Sequence, residues 1–329
     1  LHILVTGGAG FIGSNIVEYH LQRGDKVHVV DNLSTGSEAN VAAFRANPNF
    51  RFNQADIVTW GGLDTAVAWA DRIYHMAAVV GVYRVLSEPV GTMATNIAGT
   101  ERLLRSVNRD SWSPKVILAS SSEVYGPHNE AQLSEDDSLI IQSGAPLRWN
   151  YAISKLADEG FGLAYAREHN IPVIIARFFN TVGPRQTGRY GMVVPRFVQK
   201  AVANEPITVF GDGEQSRSFC DVRDTVVALD RLASMPDLPT GEIVNVGSDR
   251  EISINELARL VIECAGSTST IEHIPYREAY GAEFEDIRHR RPSLAKLRRL
   301  TGFEHAWTLE KTLNDLIDRA RTQHMEREK

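Results

Sequence analysis

Two cysteines, Cys220 and Cys264, stand in a chain of 329 residues. So few exclude a disulfide framework and a cysteine-built metal centre, and both read as reduced thiols; no metal site is expected. No apolar run approaches the roughly 20 residues that a membrane span needs. Positive charge is not in surplus: 35 Lys and Arg against 41 Asp and Glu leave a net charge of −6. That balance gives no footprint for nucleic acid or for an anionic membrane surface, so any phosphate binding must be local. Repeats and low-complexity segments are missing too. The apolar start Ile3-Leu4-Val5 is short for a signal peptide and runs straight into glycines, and the sequon Asn32-Leu33-Ser34 carries no weight without a secretion signal. The expectation is a cytoplasmic protein. What remains is ordinary globular material, 43% hydrophobic and 23% charged, long enough for two domains or one large α/β domain with a lobe attached.

Short apolar runs alternate with helical stretches through the first half. Ile3–Thr6, Lys26–Asp31, Arg72–Ala78, Lys115–Ser120 and Pro172–Phe178 read as strands. Phe11–Arg23, Leu63–Ala70, Thr95–Asn108 and Tyr151–Asn170 read as helices. This rhythm predicts βαβ units and a Rossmann-type doubly wound α/β fold, a parallel sheet with helices on both faces. After Phe179 the rhythm loosens, with Gly183-Pro184-Arg185 and Gly211-Asp212-Gly213 as punctuation. Helices return at Asp221–Ala233, Ile254–Ala265 and Leu309–Arg321, and the chain crosses back to the sheet near Ile243–Val246. Expected domains are therefore residues 1–178, with a return segment near 218–246, and a smaller mixed α/β lobe of 179–217 and 247–329.

Gly7-Gly8-Ala9-Gly10-Phe11-Ile12-Gly13 joins the first strand to the first helix. Gly7, Gly10 and Gly13 let the backbone turn tightly and approach a pyrophosphate, while the helix N-terminus offers free N–H groups, including those of Phe11 and Ile12. Asp31, followed by Asn32, ends the second strand. Its carboxylate suits ribose hydroxyls and repels a 2′-phosphate, which favours NAD over NADP. Asp56-Ile57, after the third strand, stands where an adenine edge would lie.

Tyr151 and Lys155 are four residues apart, so a helix puts phenol and ammonium on one face. A free phenol, with a pKa of about 10, is a poor base at neutral pH; a nearby ammonium favours the phenolate. The pair reads as a base for an alcohol proton. Ser120-Ser121-Ser122-Glu123-Val124-Tyr125-Gly126 follows an apolar strand, where ligands bind in parallel sheets, and a hydroxyl there would share the substrate oxygen with Tyr151. Each motif alone is common, but the three in this order are not.

With these motifs in place the chain resembles the extended short-chain dehydrogenase/reductase family of nucleotide-sugar epimerases, dehydratases and decarboxylases. The resemblance covers Thr6–Gly13, Asp31, His75-Met76-Ala77-Ala78, Asn96, Ser120–Gly126, Tyr151–Lys155, Arg177–Pro184, Val194-Pro195 and Gly211–Arg217. It implies NAD as cofactor, with Ala77, Ala78 and Asn96 along its nicotinamide half and Lys155 also on its ribose, in a crevice that Ser120 helps to line. It implies Ser121 as the catalytic hydroxyl and Tyr151 as the base. Asn180 and Arg217 would hold the diphosphate of a UDP-sugar, while Val194, Arg196, Thr208 and Phe210 lie in the two segments that would embrace its base. The bland reading of Arg217 is a surface arginine paired with Asp212 or Glu214. Arg288, His289, Arg290 and Arg291 offer a further diphosphate contact, here assigned to Arg290, or a solvated surface.

Ser121-Ser122-Glu123 narrows the reaction. Dehydratases of the family carry Asp-Glu after the catalytic hydroxyl; here Ser122 replaces that aspartate. Typical 4-epimerases carry small or neutral residues at both places; here Glu123 is an acid. Hydroxyl-Ser-Glu-Val-Tyr-Gly is similar to the UDP-glucuronic acid decarboxylases, and the lead-in Arg148-Trp149-x-Tyr151 resembles that of the decarboxylase of the aminoarabinose pathway and the apiose/xylose synthases. The resemblance implies oxidation at C4, loss of carbon dioxide from the resulting β-keto acid, and Ser122 and Glu123 acting on the C5 side. The product is UDP-xylose or a UDP-4-keto-pentose. The alternative is a UDP-sugar 4-epimerase, followed by a 4,6-dehydratase or a non-catalytic NAD(H)-binding protein. Arg84 weighs between them: it is either a clamp on the substrate carboxylate, which favours epimerisation, or a solvent-facing helix start. The family also implies a homodimer through the helices at 95–108 and 151–170.

Overall fold

The fold is that of a computed structural model describing residues 1–107, 113–128, 132–141, 149–188, 192–237, 239–280 and 288–327. Arg148 lies outside the described residues. The strands are β1 His2–Thr6, β2 Lys26–Asp31, β3 Phe50–Gln54, β4 Arg72–His75, β5 Lys115–Ser121, β6 Val173–Phe178, β7 Thr181–Val182, β8 Ile207–Phe210, β9 Ser216–Ser218, β10 Cys220–Asp221, β11 Glu242–Val246, β12 Glu251–Ser253 and β13 Ile271–Ile274. The helices are α1 Phe11–Gln22, α2 Leu63–Trp69, α3 Val82–Ser87, α4 Pro89–Val107, α5 Asn150–His169, α6 Val193–Val202, α7 Val222–Ser234, α8 Ile254–Ala265, α9 Tyr276–Tyr280, α10 Ala295–Thr301 and α11 Leu309–Arg327.

Seven strands form one sheet in the order β11-β6-β5-β4-β1-β2-β3, and every pairing in it is parallel. This is the doubly wound arrangement that the strand–helix rhythm predicts. Alternation along the strands sorts residues to two faces. Ile3 and Val5 pack with α1 and α7 residues such as Ile16, Val17 and Leu229. Leu4 faces the other way, onto Leu63, Leu103 and Leu104. Ile117 and Leu118 divide the same way on β5. Both faces are thus apolar, which is why these strands read as continuous apolar runs.

β11 brings the chain back to the sheet, pairing Val244 with Ala176 in parallel. The residues around that return build a separate core in which Val194, Phe197, Leu257, Val261 and Leu313 pack together. Its small strand pairs, β8 with β13 and β9 with β12, are too short to show in the sequence pattern. α8 is plainer: Ser253 and Glu256 form a reciprocal capping box, and Gly266 ends the helix at φ 54°. α4 starts at Pro89, six residues before the sequence-based start at Thr95, and proline suits a first helical turn. Among the described residues no helix is long and apolar enough to cross a membrane.

Candidate active site

Strand order reverses between β1 and β4, which opens a crevice at the carboxyl ends of the strands. The glycine turn forms its floor. Gly7 sits at φ +70°, and a Cβ there would lie 2.6 Å from the backbone nitrogen of Ala77. A Cβ at Gly13 would lie 2.2 Å from the Gly7 carbonyl oxygen. These two glycines are demanded by close backbone approach. Gly10 differs: a Cβ there meets only the Gly7 oxygen, at 3.1 Å, and otherwise open space. α1 has no side-chain cap and no acid in its first turn. A bare, uncapped helix N-terminus next to open space fits a pyrophosphate.

Asp31 does more than the sequence suggests. Its Oδ2 accepts the Ala9 N–H at 2.9 Å and its Oδ1 the Leu33 N–H at 2.8 Å. It therefore pins the glycine turn to the end of β2, and a carboxylate keeps lone pairs beyond these two for ribose hydroxyls. Burial pushes its pKa up while the two N–H groups pull it down. Asn32 donates to Asp56 at 2.9 Å, and Asp56 also accepts the Val58 N–H. Ile57 is a correction: its side chain is buried in the core, so only its backbone is left for an adenine edge. Asn96 is another. Its amide accepts the Val79 N–H at 2.7 Å and donates to Ser154 at 3.1 Å. It clamps the Val79 backbone, next to the Ala77-Ala78 segment.

At the reacting end, β5 and α5 meet. Ser120 turns inward and donates to Glu159 at 2.5 Å, and Glu159 takes a bidentate bond from Arg177 on β6 at 2.9 and 2.8 Å. Ser120 therefore holds the strand end in place, with its hydroxyl proton committed to Glu159. Ser121 points the other way, with its hydroxyl hydrogen-bonded to the Tyr151 phenol and to the Glu123 N–H at 3.2 Å. Ser122 is only 3% exposed. Glu123 lies near enough to Tyr151 for its charge to resist the phenolate.

Lys155 is buried on the same helix face. Its ammonium donates to the Ala119 carbonyl at 2.9 Å and to Asp158 at 3.0 Å. Burial disfavours that charge, but Asp158, Tyr151 and Glu159 hold its pKa above the ordinary value. The phenol of Tyr151 is also raised, first by burial; Lys155 pulls it down, and Glu123 and Asp158 push it back up. The reading of Lys155 as lowering the phenol holds for that one influence and fails for the sum. His75, buried at the end of β4, bridges Thr6 and Thr100 at 2.7 and 3.1 Å. Burial, with help from Lys155, drops its pKa to about 3, so it stays neutral.

The second lobe closes the site. Arg290 pairs with Glu123 and donates to Asn180 at 3.1 Å. Three sequence-predicted residues from distant segments thus meet in one cluster. Arg217 is buried, donating to the Ser216 carbonyl at 2.7 Å, which sets aside the reading of it as a surface arginine. Arg196 stacks over the Phe210 ring at 4.6 Å and, with Thr208, Pro195 and Lys200, lines a cleft of about 520 Å³. Val194 is a core residue at 2% exposure, so its backbone alone is left for a base. Arg84 corrects both sequence readings. It donates to the Ser34 carbonyl at 2.9 Å, in the loop after Asp31, and approaches Glu88 at 3.5 Å. It sits at the cofactor loop, neither on a carboxylate site nor facing solvent freely. Arg288 does lie on the surface, paired with Asp212. Among the described residues no group of three or more His, Cys, Asp or Glu could hold a metal.

The residues that sequence reasoning missed are Asp158 and the acid of the Glu159–Arg177 pair. Helical spacing could have found both, since 151, 155, 158 and 159 share one face.

Comparison with known proteins adds four findings. Residues 3–247 match the model of the NAD dependent epimerase/dehydratase family. The chain is 36% identical to a UDP-N-acetyl-alpha-D-glucosaminuronate decarboxylase of Bacillus cytotoxicus, covering 95% of this chain and 96% of that one. It is 37% identical to UDP-glucuronic acid decarboxylase 2 of Arabidopsis thaliana over 95% of this chain, and spans 66% of that longer protein. Among solved structures, a UDP-glucuronic acid 4-epimerase from Bacillus cereus, in complex with UDP-glucuronic acid and NAD, superposes with a TM-score of 0.87 at 26% identity, covering 98% of this chain and all of that one.

Two outcomes test the geometry. Gly13→Val should abolish NAD binding in a fluorescence titration with NADH, because its side chain meets the Gly7 oxygen. Glu159→Gln should lower unfolding free energy by about 3–5 kcal/mol in a denaturant titration, because it leaves the Arg177 charge buried without its partner.

Proposed function

The chain belongs to the NAD dependent epimerase/dehydratase family, and within it we propose that it is a decarboxylase of a UDP-uronic acid. NAD is its cofactor. When bound, NAD supplies the oxidant that takes the C4 hydride. The protein's own work begins with Tyr151, which accepts the C4 hydroxyl proton while the Ser121 hydroxyl shares the same oxygen. Lys155 supports the charge that appears on the phenol. With C4 oxidised, a sugar bearing a C5 carboxylate is a β-keto acid. Its C5–carboxylate bond breaks, carbon dioxide leaves, and the electron pair is held as an enolate on the C4 oxygen between Ser121 and Tyr151. C5 then takes a proton from solvent water admitted on the Glu123 side.

The observation that carries this reading is the Glu123–Arg290 pair. Loss of water would need an acid at residue 122, and that place holds a buried serine. Glu123 is committed to an ion pair with Arg290. An epimerase of uronates must keep the substrate carboxylate, which calls for an uncommitted cation. Here Arg290 is already neutralised by Glu123, and the carboxylate of Glu123 disfavours a second negative charge beside it. Arg84, the other candidate clamp, binds the Ser34 carbonyl. The similarity to two uronate decarboxylases supports the same conclusion.

On this reading residues 1–178 with the returning 218–246 carry NAD, and 179–217 with 247–329 carry the UDP-sugar. Arg217 and Asn180 meet the diphosphate; Arg196, Phe210 and Thr208 meet the base. The outer faces of α4 and α5, where Leu163 is 40% exposed, support a homodimer built through these helices, working in the cytoplasm.

Incubation with UDP-glucuronate and, separately, with UDP-N-acetylglucosaminuronate tests the proposal. NMR should show a UDP-pentose or its 4-keto form from at least one of them, with carbon dioxide released. Conversion of UDP-glucuronate to UDP-galacturonate without carbon dioxide would overturn it. Tyr151→Phe should lower kcat by a factor of about 10²–10⁴ with little change in substrate binding.

A further inference from the structure

We propose that Asp158 is a positioning residue for this reaction: it fixes the Lys155 ammonium one turn along the helix from Tyr151 and offsets that ammonium's charge at the phenol. The proposal rests on Tyr151 being the base. Asp158 is fully buried on α5, 0% exposed. Its Oδ2 stands 3.0 Å from the Lys155 nitrogen. Asp158 and the Ala119 carbonyl take two of the ammonium's three donors. One donor is left for the ligand crevice. An ammonium on a four-carbon stem is otherwise mobile, and two fixed acceptors on different elements hold it.

Stability alone does not account for this aspartate. Replacing a buried ion pair by well-packed apolar residues is often neutral or favourable. The pair must therefore be judged by what Lys155 does. With only one carbonyl as a partner, a buried ammonium would shed its proton readily. With Asp158 it keeps the proton, but part of its field at Tyr151 is cancelled.

The charged and titratable groups around the three residues are few. His75 faces Lys155 from β4 and is neutral. Glu123 faces Tyr151 from the turn after β5. Glu159 lies on α5 itself and is bound to Arg177 on β6. From α4, the Thr100 hydroxyl supports the Asp158 carboxylate. Removing the Asp158 charge takes away one of the influences that hold the phenol up and the chief support of the ammonium. Tyr151 then loses its proton at lower pH, and so does Lys155. The base must be deprotonated and its partner protonated, so both limbs of the profile move toward acid.

The test is the pH dependence of kcat/KM for the NAD-loaded enzyme and for Asp158→Asn. Both limbs should shift acidward by about one pH unit, the order expected for one unit charge in the same buried cluster. A profile unmoved, or moved toward alkali, overturns the proposal. Asp158→Ser is the second variant; being small, it leaves room for water, and the same shift is expected. Loss of the fold in both variants would make Asp158 a structural residue and also overturn the idea. Ultraviolet difference spectra between each protein and its Tyr151→Phe counterpart read the phenolate without turnover. Its midpoint should be lower in the Asp158 variants, and an equal midpoint counts against the proposal. Should Tyr151→Phe keep full activity, the base assignment fails, while the phenolate midpoint still scores the role of Asp158.

Discussion

A full positive charge sits where β5 meets α5, on a lysine only 2% exposed. Burying an ammonium costs several kcal/mol unless its donors are met and its charge is balanced. That requirement organises the reacting end of the molecule. The Ala119 carbonyl must turn toward α5 at the end of β5. An acid must follow Lys155 at helical spacing, and Asp158 does. One residue further, Glu159 faces the sheet and binds Ser120 and Arg177. α5 is thus fastened to β5 and β6 by polar contacts at the level of the reacting groups, and by apolar packing of Phe161, Tyr165 and Ala166 beyond them. Ser121 and Tyr151 come together because the elements that carry them cannot slide.

What the sequence reveals follows from how local each cause is. The glycine turn is legible because backbone approach excludes a Cβ at Gly7 and Gly13, whatever the rest of the chain does. The sheet is legible because strands buried on two faces must be apolar throughout. Tyr151 and Lys155 are legible through a spacing of one helical turn. The same spacing puts Asp158 and Glu159 on that face, but acids in a helix ordinarily face water, and only the position of β5 and β6 shows that they are buried. Asn96 is a similar case: its polarity suggests a ligand, and the fold uses it to hold Val79 and Ser154. Arg84 misleads for another reason. Its partner is a backbone carbonyl, Ser34, fifty residues earlier, and carbonyls leave no trace in a sequence.

Several charge pairs join the two lobes, Arg185 with Glu18 and Arg223 with Asp315 among them, and one of them lies at the reacting end. Glu123 follows β5, and Arg290 lies far along the chain in the second lobe. Their contact, with Asn180 beside it, brings the return of β11 to bear on the chemistry. That strand anchors the second lobe to the sheet edge next to β6. Tyr125 reinforces the junction by donating to Asn245 on β11 at 2.8 Å. Tyr125, four places after Ser121, is therefore held by the returning segment.

Both pairs, Lys155 with Asp158 and Arg290 with Glu123, answer one physical problem. Decarboxylation needs a base strong enough to start the oxidation and a site that does not hold the carboxylate too well. An uncompensated lysine would favour the phenolate in every state, including those without substrate. An uncompensated arginine would bind the carboxylate in the ground state and raise the barrier to losing it, since only interactions stronger in the transition state accelerate the step. In each case a carboxylate fixed by the fold cancels part of the cation's field. What remains is enough to orient the phenol and the sugar, and too little to trap either. The catalytic polarity of the site is in this sense a difference between large, nearly balanced charges. Its balance depends on distances that the α5–β5 contact and the β6–β11 pairing keep constant.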